Sequence, residues 1–228
     1  MTQTANAHET CYACEEESTT DEHVPAECFF PEGSRKDLIK VPSCKRHNND
    51  TSNDDEYVRN LIATQAENSE AGLTLLTGKV LRGFVHSPRL KAATFETLQL
   101  ARTATDTPVL IFQPIRSRLD SVMLKIYRGI AFHVTRHQQL RPMDIHYRDL
   151  KFNDLRESNE YGLFKMMEKE SIPWGGSVQE VFRFRVCTGS AISQPIIEIE
   201  FYRCFAVLMS PHDQLLHNLE KPQGIPST

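Results

Sequence analysis

The 228-residue chain contains no run of 18 or more apolar residues, which argues against a transmembrane helix and against a membrane as partner. Its first residues, MTQTANAHETC, hold no apolar core of the kind a secretory signal needs. A cytoplasmic address is expected, where cysteines serve metals or catalysis more often than disulfides. Surplus positive charge is missing too: 26 Lys and Arg against 30 Asp and Glu give a net charge of −4. Any attraction for nucleic acid must come from local clustering, because the sum offers none. From Glu9 to Glu22 there are six acids and no Lys or Arg, a poor phosphate-binding surface. Tryptophan occurs once, as Trp174 in IPWGG, a loop that reads as a cap over the sheet more readily than as a base-stacking platform.

What is present describes a globular chain, 39% hydrophobic and 25% charged, long enough for one large domain or two small ones. Four of its six cysteines, Cys11, Cys14, Cys28 and Cys44, crowd into the first 44 residues. Cys187 and Cys204 stand alone in apolar stretches and read as small buried hydrophobes. Up to about residue 50 the chain is rich in turn formers and poor in periodic runs, so it needs a staple to fold. Helical spacing begins at TSNDDEYVRNLIATQAE, where Ser52 and Asp55 resemble a capping box and Tyr57, Val58, Leu61 and Ile62 share one face. A second helix is predicted over LTLLTGKVLRGFVHS, stopping near Pro88, and a short strand over TPVLIFQPI. SRLDSVMLKIYRGIAFHVTRHQQL reads as a long helix reaching Arg141-Pro142, with Val122, Ile126, Ile130 and Val134 as its buried stripe. After a helical stretch around YGLFKMMEKE come two β-rich runs, SVQEVFRFRVC and PIIEIEFYRCFAVLM, the first alternating in the half-buried pattern. The fold class is thus α+β: a small zinc-stapled module over 8–70, a larger α+β domain with a long helix and an antiparallel sheet over 71–210, and a polar tail over 211–228.

CYAC places Cys11 and Cys14 at the C-x-x-C spacing, and CKRH places Cys44 and His47 at the same spacing, with 29 residues between the pairs. One such pair is weak, and a thiol-redox role for Cys11 and Cys14 would explain it equally well. Two matched pairs in a segment with no core of its own point to four N/S ligands on a tetrahedral, structural Zn²⁺. Cys28 could take the place of His47, but it belongs to neither pair and precedes Phe29-Phe30, which favours a buried thiol.

Between the pairs lies TTDEHVPAECFF. A histidine beside acids before a proline is usually a solvated turn; between two zinc knuckles, with Asn-Asn after the second, it resembles the HNH endonuclease family of the zinc-stapled ββα-metal type, in an uncharacterised bacterial branch. The match covers residues 11 to about 58. The resemblance implies a nuclease hydrolysing phosphodiester bonds, with DNA the expected substrate. His23 would be the general base, and Glu22 and Asn48 would hold one Mg²⁺ or Mn²⁺ ion. Asp21 is the alternative to Glu22, because alternate residues of a regular strand share a face; Asn49 and Asp50 are alternatives to Asn48. The middle Asn of the family pattern is matched only by Asp37. Between Lys79 and Arg156 there are 14 Lys and Arg against 6 Asp and Glu. Arg116, Arg118, Lys125, Arg128 and Arg136 lie on the long helix and its end and are the candidates for nucleic-acid contact, although a charged solvent face would look the same. Gly129 reads as a point of close approach to a neighbouring element. The rival reading is a non-catalytic, zinc-stabilised module that binds nucleic acid or protein.

Overall fold

The computed structural model describes residues 9–49, 51–65, 69–96, 98–102, 106, 108–139, 141–148, 164–188 and 194–211. Near the N-terminus, β1 (Thr20–Val24) and β2 (Ile39–Ser43) pair antiparallel, Glu22 opposite Val41 and His23 opposite Lys40. The chain then turns directly into the short helix α1 (Lys45–Asn49) and the longer α2 (Ser52–Ala63). Tyr57, Val58, Leu61 and Ile62 are buried as their spacing predicts. The start of α2 differs from the capping-box expectation. Thr51 is the N-cap and makes no side-chain cap, because Asp55 and the Thr51 hydroxyl both bind Lys125 instead.

The next helical run is continuous but not regular. α3 (Glu70–Leu75) passes through a π-helical turn, Leu76–Val80, into α4 (Leu81–His86). The run stops at His86, just before Pro88 as expected, and Pro88 itself opens a further helix, α5 (Pro88–Phe95), where a missing N–H costs nothing in the first turn. Strands β3 (Leu98–Arg102) and β4 (Pro108–Phe112) form a separate antiparallel pair.

The long helix α6 (Arg116–Thr135) ends six residues before the expected Arg141, because Arg136 adopts a left-handed conformation (φ 60°) and its N–H closes on Phe132 O. Val122, Ile126 and Ile130 are buried, whereas Val134 is 45% exposed. Steps of four overshoot a helical turn, so Val134 has rotated about 120° away from Val122. Gly129 is a point of close approach, as expected: a Cβ there would overlap Val24 Cγ2 and stand 2.8 Å from Cγ1. Helix α6 therefore lies directly on β1. Gly129→Ala should lower stability by about 1–3 kcal/mol, the overlap with a branched side chain outweighing the gain in helix propensity; a reduced urea midpoint at unchanged slope is the readout.

A four-stranded antiparallel sheet, in the order β5-β8-β7-β6, completes the fold: β5 (Met143–Tyr147), β6 (Phe182–Cys187), β7 (Ile196–Phe201) and β8 (Phe205–Pro211). The run PIIEIEFYRCFAVLM is thus a hairpin of two strands, turning at Tyr202 and Arg203, both at positive φ. Strand β8 takes in Pro211, the first residue of the expected tail, and the rest of that tail lies outside the described residues. The sheet is covered on both faces. Phe164, Met167, Ile196, Ala206 and Leu208 form a cluster beneath the helical stretch 164–169, so the alternation expected for β6 is modified. Arg185 is buried there with Glu198, their closest atoms 2.5 Å apart. Trp174 caps the sheet as expected: Gly175 bridges to Phe184 on β6, and the Arg183 and Arg185 guanidinium groups lie 4.0 and 4.7 Å from the indole centroid.

The α+β class holds, yet the division near residue 70 runs through one continuous core. A single cluster of buried side chains extends from Cys11 and Tyr12 through α2 and α6 to Phe201 and Met209. Polar ties follow the same route: Tyr202 donates its hydroxyl to Phe29 O, and Gln138 donates its amide to Cys11 O and Cys14 O. Among the described residues, no helix is long and apolar enough to cross a membrane.

Candidate functional site

The two knuckles converge. Cys11 sits just before the turn that leads to β1, Cys44 just after β2, and His47 one turn along α1, so the hairpin and the helix are gathered at one point. The four ligand atoms of Cys11, Cys14, Cys44 and His47 all lie within 4.8 Å of one another. Cys14 Sγ is 3.8 Å from Cys44 Sγ, and His47 Nδ1 is 3.3 Å from Cys44 Sγ and 3.6 Å from Cys11 Sγ. A tetrahedral zinc ion with ordinary bond lengths needs edges of about 3.8 Å between sulfurs and about 3.5 Å between sulfur and nitrogen. The group can hold a metal ion such as zinc. Cys28 is not part of it: the thiol is half-buried, and burial pushes its pKa up to about 11.

Strand β1 sends its side chains two ways. Glu22 and Val24 point inward, while Asp21 is exposed and His23 partly so. Glu22 is only 4% exposed, and its Oε1 accepts from Lys125 Nζ at 3.1 Å. The same ammonium reaches Asp55 Oδ2 at 2.5 Å and Thr51 Oγ1 at 2.9 Å. One cation from α6 therefore stands between two carboxylates, one from the hairpin and one from α2. Burial raises the Glu22 and Asp55 pKa values, with Lys125 pulling them back. For Lys125 burial acts downward, but Asp55 and Glu22 outweigh it and its pKa is raised. Asp55 Oδ1 and the Tyr12 hydroxyl are buried beside this group without a hydrogen-bond partner among the described residues.

The sequence-based site residues are thus divided. His23 faces out with Nδ1 3.5 Å from Glu27 Oε1. Asn48 donates to Thr20 Oγ1 at 2.9 Å and to the Asp21 carbonyl at 3.2 Å, which ties α1 to β1. Glu22 lies on the face of the hairpin opposite His23 and is held there by its pairing with Lys125. Asp50 and the side chain of Asn49 lie outside the described residues.

The five basic candidates do not form one exposed face. Lys125 is interior and unavailable to a phosphate, a correction to its assignment. Arg116 pairs with Asp120 at 2.8 Å, and Arg118 pairs with Asp54 at 2.6 Å while stacking on Tyr57. Arg128 is half-buried, its Nε without a partner among the described residues, and Arg136 is exposed at the end of α6. Asp55 was missed by sequence reasoning, although an acid three and seven residues before the buried Val58 and Ile62 was a readable signal of an interior charge. Comparison with protein-family models, with curated proteins and with solved structures yields no match.

Proposed function

We propose that the chain is an HNH-type, metal-dependent phosphodiester hydrolase acting on nucleic acid, with DNA the expected substrate. One observation supports this most. His23 projects to the open side of a hairpin that the Cys3His group fastens to the helix bearing Asn48, in the order strand, strand, helix. In this reading zinc at Cys11, Cys14, Cys44 and His47 is structural. Its four protein ligands leave no position for a reacting water.

His23 is the general base. With Nδ1 turned to Glu27, Nε2 is the nitrogen that takes a proton from the attacking water, and Glu27 fixes the ring and supports the imidazolium that forms. Glu22 does not fit the role of ligand to a divalent ion, since an ammonium already occupies its carboxylate. Asp21 and Asn48 fit by chemistry: the Asp21 carboxylate is exposed, and Asn48 Oδ1 makes no hydrogen bond among the described residues. Such an ion would supply charge stabilisation at the scissile phosphate and the leaving oxygen.

His23→Ala should reduce nicking of supercoiled plasmid in Mg²⁺ or Mn²⁺ by about 10²–10⁴-fold, the range of a general base, with zinc content unchanged by elemental analysis. Undiminished cleavage sinks the assignment. The acidic stretch from Glu9 to Glu22 favours the second reading, a zinc-stabilised binding module. That reading predicts no cleavage by wild type with any divalent ion.

A further inference from the structure

A second basic site stands apart from α6. The loop joining β1 to β2 meets the π-helical turn Leu76–Val80 and the start of α4 around a cavity of about 150 Å³. Arg35, Lys79 and Arg82 line it, with Glu32 the single acid. Among the described residues none of the three cations has a carboxylate within ion-pair reach. Arg35 donates Nε to Phe30 O at 3.3 Å and Arg82 donates Nε to Gly78 O at 2.6 Å, which positions both guanidinium groups by backbone. Behind them Arg59 is fully buried, but Glu56 and Asn60 satisfy it.

The cavity lining carries three cations against one acid. Burial, then Arg59 and Arg35, hold the Lys79 pKa below the ordinary lysine value, while Cys28 and Glu56 oppose them. A helix rarely widens to a π turn without cause, and such turns collect at functional sites. Here the widened turn carries Gly78, where a Cβ would meet nothing within 4 Å, so the cavity is open at that point.

We propose that this cavity binds a phosphoryl oxyanion, held by Arg35, Lys79 and Arg82. Its volume is well below the roughly 300 Å³ at which pockets for drug-sized ligands begin. The cavity is on the scale of one small charged group rather than of a whole ligand. Three cations against one acid suit a phosphoryl group, whose oxygens can take a guanidinium fork and an ammonium together. The oxyanion has two sources: a backbone phosphate of a nucleic-acid strand, which rests on the nuclease reading above, or free phosphate, which does not.

The test uses zinc-loaded full-length chain and three variants: Lys79→Gln, Arg82→Gln and Gly78→Leu, the last filling the cavity without removing a charge. One arm compares thermal midpoints in inorganic phosphate and in chloride at matched ionic strength. The other titrates a fluorescein-labelled duplex by anisotropy across a salt series without divalent ions. Wild type should gain stability in phosphate and each variant should lose that gain. If the source is a strand, all three variants should also weaken duplex binding several-fold. Each charge variant should then flatten the log–log salt dependence by about one unit. A phosphate response lost in the variants with duplex affinity unchanged assigns the pocket to free phosphate. Variants equal to wild type in both arms overturn the site, as does weakening by the charge variants alone while Gly78→Leu binds normally. Neither arm reads cleavage, so an absence of nuclease activity leaves this result intact.

Discussion

Lys125→Met should destabilise the chain by about 3–5 kcal/mol, the cost of leaving buried charge without its partner. The lysine and both its carboxylates are almost fully buried: side-chain exposure is 7% for Lys125 and 5% for Glu22 and for Asp55. Removing the ammonium strands two acids in the interior, and their pKa values, already raised by burial, rise further. Between the ordinary carboxylate range and those raised values, the folded variant binds protons that the unfolded chain does not. Its stability should therefore fall as pH rises through that window and recover as pH drops toward the ordinary range. In wild type the lysine contribution has the same sign but a different, alkaline window. It is complete below the usual lysine value of 10.5 and is lost as pH rises through the elevated folded one. Urea titrations at acid and neutral pH separate the cases. Adding Glu22→Gln and Asp55→Asn to Lys125→Met should regain much of the loss, because a neutral interior of similar shape tolerates the missing cation. A single variant as stable as wild type at neutral pH would show that the ammonium does not hold these acids.

Loss of the metal should be larger still. Structural zinc supplies on the order of 10 kcal/mol to folding in small domains, comparable to the entire stability of a typical domain. Because the buried cluster runs from Cys11 to Met209, the damage should not stay in the first 50 residues. Purified protein should contain one zinc per chain, and a strong chelator should abolish near-ultraviolet circular dichroism throughout. Cys44→Ser should behave like the chelated protein, while Cys28→Ser keeps its zinc and its fold. His47→Cys should also keep zinc, since thiolate is an equally good ligand. Metal content unaffected by Cys44→Ser would refute the site.

These features were not equally legible in the sequence. The knuckles could be read because metal chemistry restricts both residue type and spacing; Cys28 could be set aside because it breaks that spacing. The start of α6 and three members of its stripe followed from periodicity, but its end depended on Arg136 accepting a left-handed backbone, which no run of letters announces. Lys125 was misassigned because a local count of charges ignores facing. Three residues after Val122 and four before Gly129, it lies on the apolar side of its own helix. Glu22 was assigned through the family resemblance, whereas β1 keeps the regular alternation that puts Glu22 and His23 on opposite faces, the case for which Asp21 is the alternative. The cavity at Lys79 could not be foreseen, since its walls come from a loop and a helix about 40 residues apart.

The hairpin has places for two positive centres of different origin. The Lys125 ammonium is encoded, present from the moment the chain is made, and invariant with growth conditions. The ion suited to the four knuckle ligands must be taken from the surroundings, in competition with every other thiolate site. With zinc in that group, half of the anchoring would be inherited and half borrowed, and the amount of functional protein would follow the zinc supply even where the amount of chain does not.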